Sequence, residues 1–289
     1  MRSEVKRPPP FQRPRALLYA GLLALSSLLS GCASYILGEP AGSGTRALAS
    51  QLQALQADSS PESAARYIFV GVALNDRQTV FDADIRLLDR TLATTYGPAY
   101  RSVLLSNRRI TEGPRDLPLA TIDHLDEVFD FLAQHKRSQD RFIVLLSSHG
   151  TPGMLEVSQF PLYPNARLLA AKKLGQWMET LEPNLSWLMI SACYSGSHLE
   201  RLKQDHLLVM TAASAKTASF GCANDQVNTW FVKELTEAMR PQQNFKDWWQ
   251  ASLARIAERE KQKKLPQSLP QMSVGSQWKE RINEDWTRF

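Results

Sequence analysis

Two apolar runs, each stopped at a glycine turn, constrain this chain of 289 residues more than anything else in it. Ile143-Val144-Leu145-Leu146 leads into Ser147-Ser148-His149-Gly150, and Trp187-Leu188-Met189-Ile190 leads into Ser191-Ala192-Cys193-Tyr194-Ser195-Gly196. Short continuous apolar runs bounded by turn residues read as strands buried on both faces, the pattern of a parallel sheet. In an open α/β sheet, groups just past the carboxyl ends of the strands line the ligand crevice. His149 and Cys193 stand at two such ends, 44 residues apart in sequence.

A thiol and an imidazole brought together there suit acyl transfer. The thiolate is the nucleophile, and an ordinary thiol with a pKa of about 8.5 is mostly protonated at neutral pH. A neighbouring His stabilises the thiolate and later protonates a leaving amine. Cys193 is therefore the candidate nucleophile and His149 the candidate base and acid. The backbone N–H groups of Gly150 and Cys193 are the candidate oxyanion donors. Read singly, a strand-end His and a buried Cys are ordinary structural residues; the paired motifs on consecutive strand ends carry the assignment.

Around these motifs strands alternate with helices from about Arg66, which predicts an α/β fold with a mainly parallel central sheet and helices on both faces. The predicted strands are Tyr67–Ala73, Ser102–Leu105, Phe142–Ser147, Leu185–Ser191 and Leu207–Ala212. The predicted helices are Thr79–Tyr96, Thr121–His135, Ala170–Leu181 and Asn228–Met239, with a further helix over 244–264 and a late edge strand within Leu265–Gly275. Asp76, Gln78 and Thr79 are expected to cap the first of these helices. Thr151–Met154 and Phe160–Asn165 read as loops.

At these residues the chain resembles the C13 cysteine peptidases, the legumain family, which includes the catalytic subunit of the GPI transamidase. The resemblance runs from about Arg66 to about Met239. It implies a caspase-like three-layer sandwich and a Cys-His peptidase mechanism on peptide or protein substrates. It also implies that Asn75, after the first strand, orients His149; read from the sequence alone, Asn75 is equally a turn residue. The family places an acidic residue two positions before the Cys, in the pocket for a P1 Asn. This chain has Ser191 there, so preference for Asn is not implied. Ser214 matches the family's pocket wall and Asp225 its loop carboxylate, which makes Ser191, Ser214 and Asp225 the candidate substrate-binding residues.

Residues 1–31 read as an export signal. A basic head precedes a 15-residue apolar stretch, Ala16 to Ser30, that is shorter than the roughly 20 residues of a bilayer span. Leu29-Ser30-Gly31-Cys32 is similar to the bacterial lipobox, which implies lipidation at Cys32. Ala33 then implies outer-membrane sorting, with the protein facing the periplasm. Residues 32–63 read as a tether with one short helix (Thr45 to Asp58), and 64–289 as the peptidase domain with its C-terminal helix and edge strand. The leader holds five basic residues and one acid, leaving 29 basic and 28 acidic residues in the mature chain. That balance gives no basic footprint for nucleic acid. No metal-ligand spacing and no phosphate loop appear, so no cofactor or metal is expected. Oligomeric state is open.

Beside Cys193, the remaining cysteine Cys222 reads as buried and inert, with a disulfide to Cys193, a redox switch or a place in the pocket as alternatives. Two other functions are weighed against the peptidase: a non-catalytic caspase-like scaffold lipoprotein, which has no need of an intact Cys-His pair, and a thiol redox protein, which lacks Cys-x-x-Cys.

Overall fold

Tyr67–Ala73 (β1), Arg141–Ser147 (β3) and Ser186–Ser191 (β7) are almost wholly buried along their length, so each must be covered on both faces. The computed structural model describes residues 43–110, 115–159, 163–240, 243–279 and 281–282. The leader and Cys32 lie outside the described residues. Tyr100–Ser106 (β2), Leu207–Thr211 (β8) and Gln271–Val274 (β9) complete a six-stranded sheet of order β2-β1-β3-β7-β8-β9. All neighbours are parallel except β8 and β9, which run antiparallel at one edge.

Side chains alternate between the faces and fill two cores. Val70, Val144 and Leu188 pack on one face beneath Ser43–Gln56 (α1), Ile122–His135 (α3) and Ala171–Thr180 (α4). Phe69, Ile143 and Trp187 pack on the other beneath Val80–Tyr96 (α2), Trp230–Ala238 (α5) and Phe245–Gln262 (α6). This is the three-layer α/β sandwich read from the sequence.

Helix α1 is docked into this body. Leu48, Leu52 and Leu55 are buried in the first core. Gln51 Nε2 donates to the Leu104 carbonyl at 3.1 Å and its Oε1 accepts the Leu104 N–H at 2.7 Å, which satisfies the open edge of β2. The region read as tether thus contributes packing from α1 onward.

Local details differ from expectation where side chains are engaged elsewhere. Thr121 caps α3 by accepting the His124 N–H, as its sequence suggests. Thr79 makes no side-chain cap on α2, because its own backbone is already helical (φ −75°, ψ −17°); Asp76 is paired with Arg109 at 2.9 Å and Gln78 reaches His149. Where loops were read after His149 there is a second, three-stranded sheet, β4 (Gly150–Thr151), β5 (Met154–Gln159) and β6 (Tyr163–Ala170), while Phe160, Pro161 and Leu162 of the second predicted loop lie outside the described residues. Leu155 and Val157 in β5 are fully buried, a period-2 signal that drives this hairpin onto the main body.

Candidate active site

The last pair in the β3–β7 ladder is Ser147 with Ser191. The Ser148 N–H continues the ladder by donating to the Ser191 carbonyl at 3.1 Å. His149 and Cys193 each lie two residues past that last pair, so the register brings them out of the sheet side by side. The approach is close: a Cβ on Gly150 would fall 2.5 Å from the Cys193 carbonyl oxygen and 3.0 Å from the Ala192 Cβ. Only glycine fits where these two strand ends converge.

His149 is half-buried, with its ring edge-on to Phe81 at a centroid distance of 5.1 Å. Its Nε2 is 3.0 Å from Gln78 Oε1. With the amide oxygen accepting, Nε2 carries the proton and Nδ1 keeps the lone pair that a base needs.

Cys193 is half-buried at the start of a sharp turn. Tyr194 adopts a left-handed conformation (φ 56°, ψ 18°), which costs a non-glycine residue about 1–2 kcal/mol. That turn is held by the Tyr194 N–H donating to the Thr217 carbonyl at 2.9 Å and by the Ser197 N–H donating to the Tyr194 carbonyl at 3.0 Å. Gly196 follows where a Cβ would overlap Gln271 Oε1 and the Ala215 nitrogen. Among the described residues the Cys193 N–H has no hydrogen-bond acceptor, as an oxyanion donor requires.

The thiol has neighbours that the sequence motif does not contain. Ser219 Oγ donates to Sγ at 3.7 Å, and the Ser219 carbonyl oxygen lies 3.6 Å from Sγ. A hydrogen bond from the Cys222 thiol, against the opposing effect of burial and with help from Ser219 and from the charge of His149, pulls the Cys193 thiol down to about 6. The same contact pushes Cys222 well above the ordinary thiol range. Among the described residues Cys193 and Cys222 are both free, and both are half-buried.

Other candidates are placed differently. Asn75 is buried, donates to Glu156 Oε1 at 2.9 Å and accepts the Arg77 N–H at 2.9 Å. The hydrogen bond to His149 comes from Gln78, three residues further on. Ser191 is buried, with its hydroxyl 2.8 Å from Thr229 Oγ1. Ser214 is half-buried in the turn after β8 and bonds to Thr217 Oγ1 at 2.8 Å. Asp225 is exposed in the loop before α5. Gln78 and Ser219 were not legible as site residues: Gln78 reaches His149 from the loop before α2, and Ser219 reaches Cys193 from the loop between β8 and α5, which also carries Cys222. Among the described residues no cluster of His, Cys, Asp or Glu is placed to hold a metal ion, and no helix is long and apolar enough to cross a membrane.

Comparison with known proteins supplies a family and a fold. The model of the peptidase C13 family matches residues 130–279, a span that contains both His149 and Cys193. Among solved structures the chain is similar to the crystal structure of caspase-1 from Spodoptera frugiperda. The identity is 15%, the match covers 73% of this chain and 88% of that one, and the TM-score is 0.51, a likeness of fold. No curated protein matches.

Proposed function

We propose, from the premise that this chain belongs to the peptidase C13 family, that it is a cell-envelope cysteine endopeptidase working through Cys193 and His149. Membership and the caspase-like fold make it a cysteine peptidase in kind. The observation that carries the finer reading is the convergence at Gly150, which sets the His149 and Cys193 strand ends in contact beside a thiol drawn down to about 6.

The steps follow from the atoms present. The Cys193 thiol gives its proton to His149 Nδ1, and the thiolate adds to a peptide carbonyl carbon, the resulting oxyanion being received by the N–H groups of Gly150 and Cys193. His149 delivers a proton to the amide nitrogen as the C–N bond breaks, leaving a thioester and a free amine. His149 then takes a proton from water, the hydroxide displaces the thiolate, and the acid product leaves. An amine in place of that water gives transpeptidation by the same route. The exposed Asp225 carboxylate is available to a donor on the substrate, whereas Ser191 must first leave Thr229. The basic-headed leader and the lipobox-like Cys32 support an outer-membrane anchor facing the periplasm.

The contact between Cys193 and Cys222 favours a second reading, a thiol pair that exchanges with disulfides. One experiment separates the two: a mixed fluorogenic peptide library, under reducing conditions, with soluble mature protein lacking Cys32 and its Cys193→Ala and His149→Ala variants. Cleavage that falls by roughly a thousandfold or more in both variants is expected. Cleavage that survives in either variant, or is absent from the parent, overturns the peptidase reading.

A further inference from the structure

Beneath the Cys-His pair lies a carboxyl group that the steps above do not use. Asp84, on α2, is fully buried and accepts four hydrogen bonds. Its Oδ2 receives Ser147 Oγ at 2.7 Å and Thr229 Oγ1 at 2.7 Å. Its Oδ1 receives the Thr229 N–H at 3.0 Å and Asn228 Nδ2 at 3.1 Å. Since the Thr229 hydroxyl proton goes to Asp84, its oxygen is left to accept from Ser191 Oγ at 2.8 Å. Ser147 and Ser191 are the facing pair that ends the β3–β7 ladder, each two residues before a member of the pair. One carboxyl group thereby ties the ends of both strands, directly at Ser147 and through Thr229 at Ser191, to α2 and to the start of α5.

This is a costly way to fill a core. Among the described residues no Lys or Arg bonds to Asp84, and burial pushes the carboxyl up to about 7 despite its four donors. An apolar side chain carries no such desolvation cost. What the carboxyl adds is directional geometry, at the one level of the sheet where strand spacing sets the distance between His149 and Cys193.

We infer that Asp84 is a positioning residue for the reaction, holding the carboxyl ends of β3 and β7 at the separation that lets His149 act on the Cys193 thiol. It touches neither substrate nor reacting atoms. The inference rests on the Cys-His reading, so it is tested by two readouts, only one of which needs a peptide substrate.

The variants are Asp84→Ala, Asp84→Asn and, as a control, Asp140→Asn. Asp140 is buried at the other end of β3 and bonded to Arg66 at 2.7 Å and 2.8 Å. Kinetics on cleaved peptides are measured together with the rate of Cys193 alkylation by iodoacetamide, followed by peptide mapping and scaled to the folded fraction. Asp84→Ala is expected to lower kcat by roughly tenfold or more with KM nearly unchanged, because small misplacements of reacting groups are that costly. Measured at about pH 5.5, below the thiol inflection, it is expected to slow alkylation by about threefold or more, since a displaced His149 supports the thiolate less. Asp84→Asn keeps the shape and an accepting oxygen and is expected to restore most of both. Asp140→Asn is expected to lower the melting temperature and to move neither. Unchanged kcat and alkylation in folded Asp84→Ala, or equal losses in Asp140→Asn, overturn the inference. If Asp84→Ala does not fold, the Ser147→Ala/Thr229→Val double variant, which breaks the hydroxyl bonds, decides on the same criteria. If no peptide is cleaved by the parent protein, the alkylation rates decide alone, and that result is distinct from failure of the peptidase reading.

Discussion

The Cys193 thiol is set by residues that approach it from other parts of the chain. Its thiol is drawn down first by the Cys222 hydrogen bond, with burial opposing and Ser219 and His149 assisting, to about 6. A thiol lowered to that range is largely thiolate at neutral pH and loses reactivity as the pH falls through about 6. The rate of Cys193 alkylation against pH is therefore expected to rise through an inflection near 6, well below the ordinary thiol value of about 8.5. Replacing Cys222 by Ala removes the largest lowering contact, so the inflection is expected to move upward; an unchanged or lower inflection contradicts the assignment. His149 and Cys193 were legible as candidates because each follows an apolar strand that stops at a glycine turn. The contacts of Cys222, Ser219 and Gln78 were not, since nothing in a local pattern says which loop residue returns to a strand end. For Cys222 the sequence favoured a buried thiol and left a place in the pocket open; the residue is half-buried and its thiol bears on that of Cys193.

The paired ends of β3 and β7 form the smallest unit that could do the chemistry, and Gly150 is where their spacing is tightest. An alanine there must displace the Cys193 carbonyl or the His149 turn, because its Cβ would lie 2.5 Å from that oxygen. Gly150→Ala is expected to lower kcat/KM by about a hundredfold, the cost of an ångström-scale misplacement. It is also expected to cost about 1–3 kcal/mol in thermal unfolding, typical of overpacking. Wild-type kcat/KM in this variant would show that the strand ends need not approach this closely. At this scale the strands were read to within a residue or two of their ends, since full burial leaves an unbroken apolar signature. The β4–β6 sheet was missed because Leu155 and Val157 alternate over too short a span and Pro161 and Pro164 suggested a loop. Helix α1 showed its periodicity in Leu48, Leu52 and Leu55, but its docking rests on Gln51 bonding to the edge of β2, which sequence does not display.

Taken whole, the molecule divides its sheet into a locked end and a working end. Before the strands begin, Arg66 and Asp140 pair within the protein; past their carboxyl ends stand His149, Cys193 and their loops. The family match begins at residue 130, within α3, so β1 and α2, which lead to and carry Gln78 and Asp84, lie outside it. The architecture was thus legible from alternating strands and helices, while the support of the site depends on long-range contacts from the first third of the chain. The central claim is that Cys193 is an acyl-forming nucleophile served by His149. Its most direct test is reaction of the mature protein with peptides bearing a Michael-acceptor group, followed by mass mapping of both cysteines. Modification at Cys193 is expected, slowed by roughly tenfold or more in His149→Ala. Modification confined to Cys222, none at either thiol, or an equal rate in His149→Ala would contradict it.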